Sequence, residues 1–345
     1  MGRYKMQPII SRIRINSLFD YKDIDWHINK RVSVLFGANG TGKSTILRLV
    51  NCIINDEDCH YDKKKAKDIS LNIFGDEFNH KLGSRILDGR SSQMLIESLK
   101  NELSTVEDDK IKISIINTLN LINSAHKLIP KESKLSLVTN KFRVEYLSTF
   151  DMTIMSKQEY DSVSDDVYTQ LDFEIKKEIS VLTGKMLSLG NKSAAEINDS
   201  KMFNRKMVSD VFQSNFKNVK VFSETVNSFF KDSGKNLSID LDGDFIVTQH
   251  EKEIGINSLS SGEKQLLLIL TRVINCVGKD TIFLLDEPEI SLHLKWQENL
   301  IDAITSIHDR CQIIIATHSP AILMQGWMDC LVDMKNITFS VRETK

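Results

Sequence analysis

The sequence predicts an α/β fold: a mixed sheet built around a glycine-rich loop and its helix, carrying a mainly helical insertion. Three observations predict it. A continuous apolar run, Val32–Phe36, leads straight into Gly37-Ala-Asn-Gly-Thr-Gly-Lys-Ser44 and then into a helical pattern. Two further apolar runs, Thr281–Leu285 and Cys311–Ala316, alternate with helical segments, as strands buried on both faces of a sheet do. Between these groups lies a long stretch whose apolar residues recur at spacings of three and four.

The elements follow in order. Ile9, Ile13 and Ile15, then Ile24, Trp26 and Ile28, sit among polar neighbours at period two, which predicts two half-buried strands. Val32–Phe36 reads as a buried strand, and Thr41–Ile54 as a helix with Ile46, Leu49, Val50 and Ile53 on one face. Residues 56–68 are charged, and the Lys63-Lys64-Lys65 run reads as a solvated loop. Leu95, Leu99, Leu103 and Val106, followed by Ile113, Ile116, Leu119 and Ile122, predict an antiparallel helix pair over 91–129. Phe142, Val144 and Tyr146 alternate as a strand, and 166–232 reads as helical and polar. Asp242-Gly243 between alternating runs predicts a hairpin. Helices are then expected over Ser261–Val277 and His293–His308, each followed by a buried strand. The expected division is a core of residues 1–55 and 237–345, and a mainly helical insertion, 56–236, that includes a core strand near 141–147. Proline is scarce, at four, which predicts a packed insertion.

Composition narrows the function classes. The chain has 345 residues, 41% hydrophobic and 27% charged, ordinary values for a globular protein. A net charge of −2 argues against a strongly basic nucleic-acid binder, although a local patch stays possible. No apolar run approaches the roughly 18 residues that span a bilayer, and the start has no secretory pattern, so a cytoplasmic protein without a membrane partner is expected. The five cysteines form no C-x-x-C pair. Cys52, Cys276 and Cys311 lie in apolar contexts and read as buried reduced thiols, and Cys59-His60 lacks the second pair that a zinc site needs.

Four segments carry chemistry. Gly37–Ser44 fits the phosphate-loop pattern: Gly37, Asn39, Gly40 and Gly42 let the backbone curl round phosphates, Lys43 reaches the β- and γ-phosphates, and Ser44 ligates Mg²⁺. Thr45 follows in the helix whose positive end faces the anion. Ile282–Glu287 is a buried strand that delivers Asp286 to a metal shell and Glu287 to an attacking water. Leu259–Gln265 opens a helix, with Ser260 and Glu263 fitting a capping box. Cys311–Ala316 places His318 just beyond a buried strand.

Together these residues resemble the ABC-type ATPase heads of the SMC, Rad50, RecF and OLD kind. Gly37–Ser44 is similar to the Walker A loop, Leu259–Gln265 to the signature motif, Asp286 and Glu287 to the Walker B pair, and His318 to the switch histidine. Ser291-Leu292-His293 resembles the D-loop of the OLD-like, AAA-15/AAA-21 branch. Leu294 stands where that branch often has proline, and no Q-loop glutamine is evident, Gln158 being a distant candidate. The resemblance implies ATP and Mg²⁺ as ligands and a homodimer, or a higher oligomer built from dimers. Ser260, Ser261, Gly262 and Glu263 of one copy would meet the γ-phosphate held by the other, with Glu287 and His318 catalytic. Ser148–Asp151 (STFD) resembles a segment of bacterial anti-phage ATPases of the Septu, PARIS and retron-associated kind. That implies a sensor or switch ATPase acting on a separate nuclease or toxin. A RecF/Rad50-type DNA-repair ATPase is the alternative, and the nucleotide-binding half of a transporter is disfavoured by the insertion.

Overall fold

The computed structural model describes residues 7–55, 65–82, 140–148, 169–198, 214–240 and 243–341, with isolated positions between 98 and 138 and at 210–211. Two sheets share one interior. The first is antiparallel and begins with β1 (Ile10–Leu18) and β2 (Lys22–His27). The second is parallel and begins with β3 (Val32–Phe36), which runs into α1 (Lys43–Asn55). β4 (Asp68–Ile73) and β5 (Asp76–Lys81) then return to the antiparallel sheet, whose order is β13-β2-β1-β4-β5. β6 (Phe142–Ser148) enters the parallel sheet at its edge.

Two helices follow, α2 (Gln170–Asn198) and α3 (Lys217–Phe230), then a small antiparallel sheet of β7 (Lys235–Ile239), β8 (Phe245–Gln249) and β9 (Lys252–Ile254). The C-terminal third supplies α4 (Ser261–Cys276), β10 (Asp280–Asp286), α5 (Leu294–Ile307) and β11 (Cys311–Thr317). Short β12 (Leu331–Asp333), α6 (Met334–Ile337) and β13 (Thr338–Ser340) close both sheets. The parallel sheet runs β12-β3-β11-β10-β6.

The continuous apolar runs are explained by burial on both faces. Phe283, Leu285, Ile313 and Ile315 pack on one side with α2, α3, α4 and α5. Ile282, Leu284, Ile314 and Ala316 pack on the other with α1 and the antiparallel sheet. Gln312 is fully buried and pairs with the Ile10 backbone, accepting from its N–H at 2.8 Å and donating to its carbonyl at 2.9 Å. A buried amide satisfied at both ends fixes the register between the sheets.

The mixed α/β core with helices in the intervening region stands as expected, with two differences. The core does not stop at residue 55: β4 pairs with β1 from Ile10↔Ile73 to Asn16↔Asp68, so residues 68–81 belong to the antiparallel sheet. Cys52 is disulfide-bonded, where a reduced thiol was expected, while Cys276, Cys311 and Cys330 are buried and carry no disulfide. Lys63, Lys64, Cys59, His60, Gln158, residues 149–151 of the STFD segment and most of the helix pair over 91–129 lie outside the described residues. Among the described residues no helix is long and apolar enough to cross a membrane.

Candidate functional site

Four neighbouring strands of the parallel sheet end at one edge. Phe36 of β3 lies beside Thr317 of β11, Ala316 of β11 beside Asp286 of β10, and Asp286 beside Ser148 of β6. The carboxyl edge of such a sheet is where α/β folds gather ligand-binding side chains.

The loop from Gly37 to Gly42 leaves β3 here, with Asn39 and Gly40 exposed at its tip. Gly42 has φ +103°, and a Cβ there would come within 3.1 Å of the Phe19 ring and 3.2 Å of Leu18. Only glycine combines that backbone with that approach. Lys43 is 4% exposed, and its ammonium donates to the carbonyls of Gly37 at 3.0 Å and Ala38 at 3.3 Å. The loop thus folds over its own cation. Burial pulls the Lys43 pKa below the ordinary lysine range, against the upward pull of Glu287, Asp286 and Glu289. Thr45 is buried in the first turn of α1.

Asp286 is 5% exposed and collects two hydroxyls: Ser44 donates to one carboxylate oxygen at 2.8 Å, and Tyr146 to the other at 2.9 Å. Burial, then the charge of Asp286, raises the Tyr146 pKa far above the tyrosine range, so the phenol stays a donor. A serine hydroxyl and a carboxylate touching at a strand end are hard oxygen ligands, the set that suits Mg²⁺. The residues present therefore fit a Mg²⁺–nucleotide.

Glu287 has φ +49°, outside the regions favoured by residues with a side chain, while its N–H donates to the Ala316 carbonyl at 2.8 Å. Such backbone costs about 1–3 kcal/mol and is held by the surrounding structure. It places the carboxylate 3.0 Å from His318 Nε2. Burial pushes the Glu287 carboxyl above the ordinary range; His318 and Lys43 oppose this, and Glu289 and Asp286 add to it. The same His318 Nε2 lies 2.7 Å from the Lys43 ammonium. One nitrogen cannot serve both neighbours, since Lys43 needs an acceptor and Glu287 a donor. A group that drew Lys43 away would release His318 to Glu287 or to that group.

A second set gathers at the amino end of α4. Ser260 caps the helix: its hydroxyl accepts from the Glu263 N–H at 3.3 Å, and Glu263 accepts from the Ser260 N–H at 2.8 Å. Ser260 and Ser261 are exposed. A Cβ on Gly262 would meet the Ser291 carbonyl oxygen at 2.3 Å, so the helix start and the Ser291 turn are in backbone contact. Glu263, expected to face a nucleotide, is instead 3% exposed, and its carboxylate also holds Lys235 at 2.6 Å. Its neighbour Lys264 is paired with Asp172 of α2 at 2.7 Å.

The structure thus brings Lys43, Ser44, Asp286, Glu287 and His318 into one cluster and leaves Ser260, Ser261 and Gly262 as a separate surface beside Ser291. Sequence reasoning missed Tyr146, Glu289, Gln297, Thr317 and Ser319. Glu289 accepts through one oxygen from the Thr317 hydroxyl at 2.6 Å and from the N–H groups of His318 at 2.9 Å and Ser319 at 3.2 Å. Gln297 accepts from the Ser319 hydroxyl at 2.6 Å. Glu289 carried a signal, two positions past Glu287 in the run Asp286-Glu-Pro-Glu289; Gln297 carried none.

Residues 82–324 match the family model described as "AAA domain, putative AbiEii toxin, Type IV TA system". The chain belongs to this family. It is also similar to the retron Vc95 probable ATPase of Vibrio cholerae serotype O1 biovar El Tor, at 21% identity over 376 residues, covering 90% of this chain and 71% of that protein. The retron Ec83 probable ATPase of Escherichia coli is 24% identical over 148 residues, which is 34% of this chain and 27% of that one. Among solved structures, a crystal structure of the SmcHead bound to the C-winged helix domain of ScpA matches with a TM-score of 0.47 at 14% identity, covering 97% of this chain and 98% of that one. At the level of family, this AAA-domain chain is an ATPase with retron-type relatives.

Proposed function

We propose that this AAA-domain chain hydrolyses ATP between two copies of itself and uses that cycle as a switch on a separate effector, a nuclease or toxin, in bacterial anti-phage defence. The observation that carries the ATPase reading is the convergence of Lys43, Ser44, Asp286, Glu287 and His318 at the carboxyl edge of one parallel sheet. In this reading the loop and Lys43 hold the β- and γ-phosphates, with Asn39 at the exposed tip. Ser44 and Asp286 would hold Mg²⁺, which would neutralise charge on the phosphate oxygens. Glu287 accepts the proton of the attacking water; burial raises its pKa and so strengthens it as a base, while His318 and Lys43 pull toward the ionised form. His318 exchanges Lys43 for the γ-phosphate.

The exposed Ser260 and Ser261 hydroxyls and the N–H groups of the α4 amino end form the half-site offered to the partner's nucleotide. Two such surfaces close a two-fold pair around two ATP molecules, and hydrolysis reopens it. The names of the retron relatives and the toxin–antitoxin description of the family support a chain that works with a partner in defence.

The test is Glu287→Gln. It is expected to lower the hydrolysis rate by about 10²–10⁴-fold and to accumulate an ATP-dependent dimer in solution, where the wild type returns to monomer. A variant that turns over ATP at the wild-type rate would sink the mechanism. Co-expression with the neighbouring gene product tests the effector: a stable complex whose activity changes with ATP is expected. Strong stimulation by DNA with no such complex would favour a repair role instead.

A further inference from the structure

Glu289 is a buried carboxylate that the proposed chemistry does not use. It is 9% exposed, and three donors converge on a single oxygen: the Thr317 hydroxyl and the N–H groups of His318 and Ser319. Its other oxygen is buried and finds no hydrogen-bond partner among the described residues. All the hydrogen bonding of this carboxylate therefore goes into the three residues that carry the histidine. Thr317 is itself fully buried and passes a second bond along the same segment, accepting from the Ser319 N–H at 2.8 Å. From the other side Gln297 accepts from the Ser319 hydroxyl at 2.6 Å and donates to the Leu292 carbonyl at 2.9 Å. The end of β11 is thus clamped between two side chains from the segment that follows Glu287.

We propose that Glu289 is a positioning residue for His318: it holds the backbone at 317–319 so that the imidazole stands between Lys43 and Glu287, where it can respond to the terminal phosphate. The proposal rests on the reading of His318 as the γ-phosphate sensor. A carboxylate suits the task because charge-assisted bonds to N–H groups are shorter and stronger than those to a neutral acceptor. One acceptor shared by successive N–H groups fixes their direction as well as their position. Without it the strand end keeps its ladder to β3, but the histidine loses the anchor that aims its ring.

Two measurements test this on the full chain. The first is the side-chain ¹H–¹⁵N spectrum of histidine-labelled protein, with the His318 signals assigned by His318→Ala. Glu289→Ala is expected to shift and broaden those signals, and Glu289→Gln, which keeps a neutral acceptor, to lie close to wild type. The second is the ratio of dissociation constants for a non-hydrolysable ATP analogue and for ADP, each with Mg²⁺. Glu289→Ala is expected to lower the preference for the triphosphate by at least about fivefold, as His318→Ala does, with ADP affinity unchanged. Combining both substitutions is expected to cost no more than His318→Ala alone.

Unmoved His318 signals in Glu289→Ala overturn the proposal. So does an equal loss of ADP affinity, which would mean general damage to the loop. If the signals move while neither Glu289→Ala nor His318→Ala alters nucleotide preference, the sensor reading fails and the positioning role stands. Should Glu289→Ala fail to fold, Thr317→Val removes one of the three donors, together with the hydroxyl that accepts from the Ser319 N–H. It is expected to give a smaller shift in the same signals, and no shift at all would overturn the proposal.

Discussion

The two polar clusters use charge in opposite ways. At the carboxyl edge of the parallel sheet, Lys43, Asp286, Glu287 and His318 crowd together with competing demands: one histidine nitrogen faces both an ammonium and a carboxylate, and Glu287 sits in left-handed backbone. At the amino end of α4 the charges lie deeper than Glu287 and His318 and are matched in pairs, Glu263 with Lys235 at 2.6 Å and Lys264 with Asp172 at 2.7 Å. Only Ser260 and Ser261 stay outside. The first cluster is poised to exchange partners. The second is a rigid backbone surface whose charges serve to dock a helix. A ligand would reorganise the one and merely touch the other.

The sharpest break between them is expected from Lys43→Ala. Removing the ammonium should lower hydrolysis by about 10²–10³-fold and abolish tight nucleotide binding by a single chain. Equilibrium titration with a fluorescent ATP analogue checks it, and retained wild-type affinity would dissolve the contrast. Nothing at the α4 end should produce that loss.

Breaking the docking charges comes next. Asp172→Ala leaves Lys264 buried without its partner, a change that costs about 3 kcal/mol when a buried pair loses one member. Urea unfolding reads it directly. The pH dependence gives a second view. Burial raises the Asp172 and Glu263 pKa values, but Lys264 with Thr169, and Lys235 with Ser260, outweigh it, so both carboxyls titrate below their ordinary ranges. A lowered folded pKa contributes stability that is present above the unfolded value, about 4, and is lost as pH falls through the folded value. The wild type should therefore keep this part of its stability at pH 5 and lose it only below about 4. In Asp172→Ala that acid-sensitive part should shrink. Identical pH profiles for the two proteins would show that the pair does no docking.

Much of the first cluster was legible in the sequence, and little of the second. Val32–Phe36, Thr281–Leu285 and Cys311–Ala316 are short apolar runs that only a doubly covered sheet explains, and each is a strand of the parallel sheet within a residue or two. The residues just past their ends, Gly37, Glu287 and His318, could therefore be placed at one edge. The α4 partners could not. Asp172 and Lys235 are far from Glu263 and Lys264 in sequence, and no local pattern marks a long-range ion pair. Glu263 was legible as a cap, but its pairing with Lys235 was not. β4 and β5 were lost for another reason. Ile69, Leu71 and Ile73 alternate well, but they follow a charged stretch, and β5 is exposed apart from a half-buried Phe78. Tyr146 showed only as a strand residue, since its hydroxyl acts through Asp286 of a neighbouring strand.

A third break concerns Gly262. An added methyl would sit 2.3 Å from the Ser291 carbonyl oxygen, a backbone atom that cannot swing aside. Gly262→Ala should cost about 1–3 kcal/mol of stability as helix and turn are forced apart. If the α4 end serves a second copy, the variant should still bind ATP as a single chain yet fail to form the ATP-dependent dimer. Light scattering with the nucleotide present separates the two. A variant that dimerises normally would remove this surface from the interface.

The smallest effect is the most discriminating. Ser260 caps α4 through its hydroxyl, and Ser260→Ala should lower stability by only about 1 kcal/mol, since the exposed helix end can recruit water. Ser260→Asp restores a cap as good as serine, so thermal unfolding should return to the wild-type value. The two roles of the residue then part. If Ser260 is only a cap, Ser260→Asp should hydrolyse ATP as the wild type does. If its hydroxyl also faces the partner's terminal phosphate, the new carboxylate meets an anion, and dimer formation and hydrolysis should fall together in a protein of undiminished stability. Full activity in Ser260→Asp would leave the amino end of α4 a well-made helix start with no part in the reaction.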